Sequence, residues 1–259
     1  MEQNGVNVER SGYTKGPIIA PSRPTTMPWE ISASQEFDLG TMLELSDGRR
    51  YAYTLAGATI GAGLLAQSAL YAGSVATVQH DLTPVAAAIG ATSVFITTVT
   101  DATVKNLFKG GYIVVSDGGG TIGQGEMYGC IGNAAGAAGS LRFDLDRPLT
   151  TAWTTSTRLC LHVNPYSKAI VAPVTTPTGF ALGIPNVSLT NAYYGWLQTW
   201  GWCNSLNKTA LTMGTSVIQD LGAAGSTGIS GGSEAETVLG RAGVVVDTTD
   251  SGLIFLQLA

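Results

Sequence analysis

From Glu36 onward, apolar and polar residues alternate with a period of two. That period predicts strands rather than helices. Residues 36–45 place Phe37, Leu39, Thr41, Leu43 and Leu45 on one face. Residues 49–55 bring Tyr51 and Tyr53 together, and 112–117 read YIVVSD. Residues 140–146 alternate Leu141, Phe143 and Leu145, and 156–163 alternate Leu159, Leu161 and Val163. The run 92–100, TSVFITTVT, is β-branched or aromatic almost throughout, as pleated strands prefer. Residues 240–246 and 252–259 are two further apolar runs. Turn residues punctuate the series at Ser46-Asp47-Gly48, Asp117-Gly118 and Ser251-Gly252. Only 84–91 and 104–111 read as short helices, the second packing Leu107 and Phe108 inward and closing at Gly110 or Gly111.

The expected fold class is therefore all-β: a β-sandwich or β-barrel, jelly-roll or tulip-like, with few short helices. Residues 1–35 lack the alternation, and Pro17, Pro21, Pro24 and Pro28 punctuate them. Each proline removes a donor and biases the residue before it towards extended geometry. This segment reads as an extended N-terminal arm, ordered on a neighbouring subunit or left as a tail. Trp29 and Ile31 are its anchors. Residues 36–259 form the body, with two lobes expected at about 36–175 and 176–259.

Composition changes the picture at the surface. Charged residues are 12% of the 259, about half of the ~25% usual in a soluble domain. So thin a charge coat points to a surface partly covered by other protein. The net charge of −5 and the absence of a basic cluster argue against a nucleic-acid partner. Residues 52–80 carry no charge and are long enough to test as a membrane span. Their Gly, Ala, Ser and Thr content fits short strands joined by glycine turns, and no membrane partner is expected. The polar opening residues lack the apolar core of a signal peptide. Cys130, Cys160 and Cys203 are far apart and read as small apolar core residues.

Candidate chemistry is sparse. Gly118-x-Gly120-x-x-Gly123 follows a strand, as a dinucleotide fingerprint does, but the glycine-rich continuation cannot open a helix. It reads as a hairpin. Residues 228–232 match Gly-x-Ser-x-Gly around Ser230, yet both histidines, His80 and His162, precede it. That order does not fit an α/β-hydrolase. His80 beside Asp81, and Asp144 with Asp146 on one strand face, read as ordinary structural groups. No catalytic residue, cofactor or metal is expected.

The run 193–203, YYGWLQTWGWC, concentrates the aromatics. As an ideal strand it puts Tyr194, Trp196, Gln198, Trp200 and Trp202 on one face. Its glycines lie on the other face, where they make room for a second backbone. Three readings stay open: a core strand, a seam between subunits, or a flat platform for a glycan.

Three stretches together carry a family resemblance: RRYAYTLAGATIGAGLLAQS at 49–68, GGYIVVSDGGGTIGQGEMYGCIGNAAGAAGSLRFDLDRPLTTAWTTSTRLCL at 110–161, and YYGWLQTWGWCNSL at 193–206. In style and order, over roughly residues 36–258, the chain resembles head decoration (capsid cement) proteins of tailed bacteriophages. The resemblance implies a non-enzymatic virion protein on the outer capsid surface. It implies binding to the major capsid protein as an oligomer, commonly a homotrimer. It also implies an N-terminal arm that reaches a neighbour, here Pro17, Pro21, Pro24, Pro28 and Trp29. Tyr194, Trp196, Trp200 and Trp202 are then a subunit seam or core seam. The chain is longer than the smallest members of that family, so an added lobe has room for host-surface attachment. The alternative function is a carbohydrate-binding fibre or receptor-attachment module of a virion.

Overall fold

The computed structural model describes residues 26–69, 78–99, 105–117, 123–136, 139–175, 177–230, 237–245 and 247–258. The fold is all-β. Among the described residues the one helical element is a single 3-10 turn, Pro165–Lys168. The chain divides into two compact units, Met1–Ala69 with Tyr166–Ala259, and Leu70–Pro165. The boundary expected near residue 175 is thereby corrected, because the second unit is inserted into the first and no single cut separates them. Turn signals are local and do not report which distant strands pair.

The first unit begins with β1 (Met42–Glu44), β2 (Arg50–Leu55) and β3 (Ala66–Gln67). The inserted unit holds β4 (Val78–Leu82), β5 (Ser93–Val99), β6 (Tyr112–Asp117), β7 (Met127–Asn133), β8 (Gly139–Leu145) and β9 (Arg158–His162). The first unit resumes with β10 (Ile170–Val171), β11 (Ala181–Pro185), β12 (Tyr194–Leu206), β13 (Ser216–Gln219), β14 (Thr227–Ile229), β15 (Val238–Ala242) and β16 (Ser251–Gln257).

In the inserted unit the strands pair antiparallel in the order β4-β9-β6-β7-β8-β5. The sheet then closes on itself. Val85 N donates to Phe95 O at 2.8 Å, and Thr97 N to Thr83 O at 2.8 Å, around an antiparallel Pro84–Ile96 bridge. The ladder asks for no N–H from Pro84 at that position, so proline is tolerated there. Alternation fills the interior: Ile113 and Val115, Tyr128 and Cys130, Leu141, Phe143 and Leu145, Leu159 and Leu161 are all buried. The helix expected over 84–91 is absent. Pro84 and Ala87 bridge to Ile96 and Trp153, and these cross-strand partners replace helical ones. The second expected helix is a succession of turns over 105–110. There Asn106 at φ 63° and Gly110 at φ 74° leave the right-handed region. Phe108 is nevertheless buried, as expected.

The first unit's sheet runs β10-β3-β11-β12-β16-β15-β13-β14, and the β1–β2 hairpin joins it through β2 on β12. Ile254, Leu256, Cys203, Val217, Leu239 and Ala242 belong to one buried cluster. Tyr51, Tyr53, Leu43 and Trp196 form another, with Phe37, Leu39 and Tyr194 against it. The uncharged stretch 52–80 contains parts of β2 and β4 and all of β3, and no described helix there is long and apolar enough to cross a membrane.

Candidate functional site

β12 serves three neighbours. Tyr194–Trp200 pair with β2, Leu197 and Gln198 with β11, and Trp200–Leu206 with β16. At the junction the register shifts: Gln198 pairs with Tyr51, but Trp200 pairs with Arg50. Paired residues share a face and adjacent residues oppose, so the extra residue, Thr199, exchanges the two faces of β12. Gln198 Nε2 donates to the carbonyls of Trp200 and Trp202 at 3.0 and 2.9 Å, closing the irregular turn of backbone. Gly201 just beyond it has φ 91°, with Arg49 backbone 3.3 Å from where a Cβ would stand.

The single row expected from Tyr194 to Trp202 is therefore corrected to two groups. Trp196, 1% exposed, lies edge-on to Tyr53 at 5.0 Å, and Phe37 is 5.4 Å away. Its indole N–H donates to Thr26 O at 2.9 Å. Tyr194 stacks on Tyr53 at 6.0 Å. Trp200 and Trp202 instead meet the ring of Phe255 edge-on, at 5.8 and 5.3 Å. The Arg50 guanidinium lies 5.8 Å from the Trp200 ring and pairs with Glu44 at 3.1 Å.

The second group opens onto solvent. Trp202 is 51% exposed, and its ring extends across the sheet to Gly243, where a Cβ would stand 2.3 Å from the indole. Leu253 (44%), Val245 (71%) and Met213 (69%) are exposed. Leu253 O accepts from Gly243 N at 2.9 Å, and Val244 and Val245 follow directly. Met213 precedes Gly214, whose N–H bonds Ala242 O at 2.7 Å. Trp202, Leu253, Val245 and Met213 thus form an exposed apolar group on and beside the neighbouring strands β12, β16 and β15. Exposed Arg241 pairs across from Phe255, while exposed Asp247 and Asp250 occupy the connection from β15 to β16.

Of the arm residues, Pro17, Pro21 and Pro24 lie outside the described residues. Pro28 is buried in a turn closed by Glu30 N to Met27 O at 2.9 Å, and Trp29 is 51% exposed. The expected anchor, Ile31, is 37% exposed and touches the space over Gly195. What ties this segment down is backbone: Ser32 and Tyr194 exchange both hydrogen bonds, at 2.9 and 2.8 Å. The glycine at 195 makes room for Leu189, which a Cβ there would meet at 2.5 Å, while Ile31 and Glu30 lie at ordinary contact distance from that position.

The remaining candidates disperse. Asp81, at φ 60°, pairs with Arg158 at 3.3 Å, and His162 Nδ1 faces Val163 O at 2.6 Å. Asp144 pairs with Arg142 at 2.8 Å. Among the described residues no three His, Cys, Asp or Glu side chains are grouped to hold a metal ion. β6 and β7 pair antiparallel, so the glycine run between them connects a hairpin; Gly118 and Gly120 themselves lie outside the described residues. Burial pushes the thiols of Cys130 and Cys203 up to about 12.

Two features had no sequence signal. Glu126 accepts hydroxyl hydrogen bonds from Tyr128 (2.6 Å), Thr150 (2.7 Å) and Thr151 (2.8 Å), with Arg147 over the Tyr128 ring at 4.6 Å. Burial pushes its pKa up, but the three hydroxyls and the Arg147 charge outweigh that and hold it below the ordinary value. In the first unit, a cavity of about 350 Å³ is lined chiefly by Phe180, Ile218, Leu221, Leu239 and Leu258.

No known family model, curated protein or solved structure matches the chain.

Proposed function

We propose that the chain is a structural protein whose work is binding: a head decoration protein that stabilises the capsid of a tailed bacteriophage by docking, as an oligomer, on the major capsid protein. The observation that carries this reading is the exposed apolar face around Trp202, on a chain only 12% charged. Isolated exposed hydrophobics are ordinary, but a contiguous patch marks a contact surface. Repetition on a shell multiplies modest contacts through effective concentration.

Co-sedimentation with DNA-free heads of the source virus tests the proposal. Saturation at a fixed ratio to capsid protein, with a raised rupture temperature of the heads, is the expected result. Heads that sediment without the chain overturn it.

One observation favours the carbohydrate-binding alternative, the half-exposed indole of Trp202 near the exposed side chains of Asn204 and Gln257. Under that reading a glycan array gives signals that Trp202→Ala removes, and heads do not bind.

A further inference from the structure

The Trp202 face has an order along its length that speaks to its partner. The β15–β16 connection at one end carries Asp247 and Asp250, both exposed. Next come Val245, Leu253 and the Trp202 indole. Arg241 and Trp202 both pair with Phe255, from either side of β16, and that level lies five residues along β16 from Asp250, or roughly 17 Å. Arg241 makes one long hydrogen bond, to Gly214 O at 3.5 Å, and no ion pair among the described residues. Along β15 and β16 the charge thus changes from acidic at their connection to basic at Arg241, with Val245, Leu253 and the indole over Gly243 between, while Arg50 beside Trp200 is already paired with Glu44.

We propose that this face pairs with the same face of a second copy about a two-fold axis. A two-fold contact brings each surface onto itself in reverse, so residue i meets j and j meets i. Reversal sets Arg241 of each copy opposite Asp247 and Asp250 of the other, and apolar centre on apolar centre. Translation without reversal would instead bring like charges together. A contiguous apolar patch of a few hundred Å² on a monomer is often functional. A standard interface hides about 800 Å² per partner, with a dry centre and a polar rim. The patch supplies the centre, and the three charged residues begin the rim. The indole is already pinned by Phe255 and Gly243, so it loses little freedom on pairing. The inference rests on the reading that copies of this chain assemble, and adds the surface and symmetry of their contact.

Native mass spectrometry and light scattering of the full chain at micromolar concentration test it. The expected species is a dimer. Trp202→Ser raises its dissociation constant at least about 30-fold, the loss of a hot-spot aromatic. Val245→Asp does the same through a different side chain, and thermal unfolding of each variant separates lost pairing from lost folding. Arg241→Glu weakens the dimer, as does Asp247→Arg with Asp250→Arg. Combining the three reversals restores it. A monomer overturns the pairing, and so does a dimer or trimer indifferent to Trp202→Ser. The latter leaves self-assembly standing, and head binding is judged separately by co-sedimentation.

Discussion

Trp196 and Trp202 stand six residues apart on β12 and meet different physics. Trp196 has ring partners and a hydrogen bond to Thr26 O, and water does not reach it. Trp202 rests on the sheet with half its surface wet. Trp196→Ala is expected to cost about 3–5 kcal/mol of stability, the usual loss for a buried large aromatic. Trp202→Ala is expected to change the stability of the monomer by less than about 1 kcal/mol. Urea unfolding under monomeric conditions measures both, and equal losses would contradict the division of β12 into a buried and an open part. The concentration of aromatics at 193–203 was visible in the sequence, but their separation was not. It depends on one extra residue, Thr199, between two partners of β2, and only the paired strand reveals a bulge. Gly201 was the one local trace, because its φ of 91° suits glycine.

At the scale of elements, strands with strict alternation were legible. β6 coincides with the YIVVSD run, and β8, β9 and β16 lie within two residues of their apolar patterns. Short strands such as β3, and β11 with Gly183 and Pro185, carry no alternation. They exist because longer neighbours offer them backbone partners. The Glu126 cluster shows the same limit, since Thr150 and Thr151 reach it from more than twenty residues away. It joins the loop after β8 to the start of β7 and adds a pH dependence. The carboxyl's pKa is lowered on folding from an ordinary 4.5. Its stabilisation is fully present above that ordinary value and is lost as pH falls through the depressed one. Glu126→Gln is expected to cost about 1–2 kcal/mol near neutral pH and to flatten stability against pH in the acid range. Thermal unfolding across that range checks this, and parallel curves for the two proteins would rule out the carboxylate's part.

For the whole molecule, the two units have separate buried clusters, one within the closed sheet and the others on the sheet built around β12. Phe143→Ala is expected to cost about 3–5 kcal/mol and to speed amide exchange in β4 to β9. Exchange in β12, β15 and β16 stays at its original rate. Hydrogen exchange followed by mass spectrometry resolves the segments, and equal acceleration everywhere would show one cooperative core. The insertion also bears on synthesis. β2 pairs with β12 from Leu55 to Tyr194, a gap that a ribosome adding about 5–20 residues per second crosses in roughly 7–30 s. All strands of the inserted unit emerge within that interval. The closed sheet can thus be complete on the nascent chain while Tyr51 and Tyr53 still wait for Trp196, so β2 spends that interval without its partner strand β12.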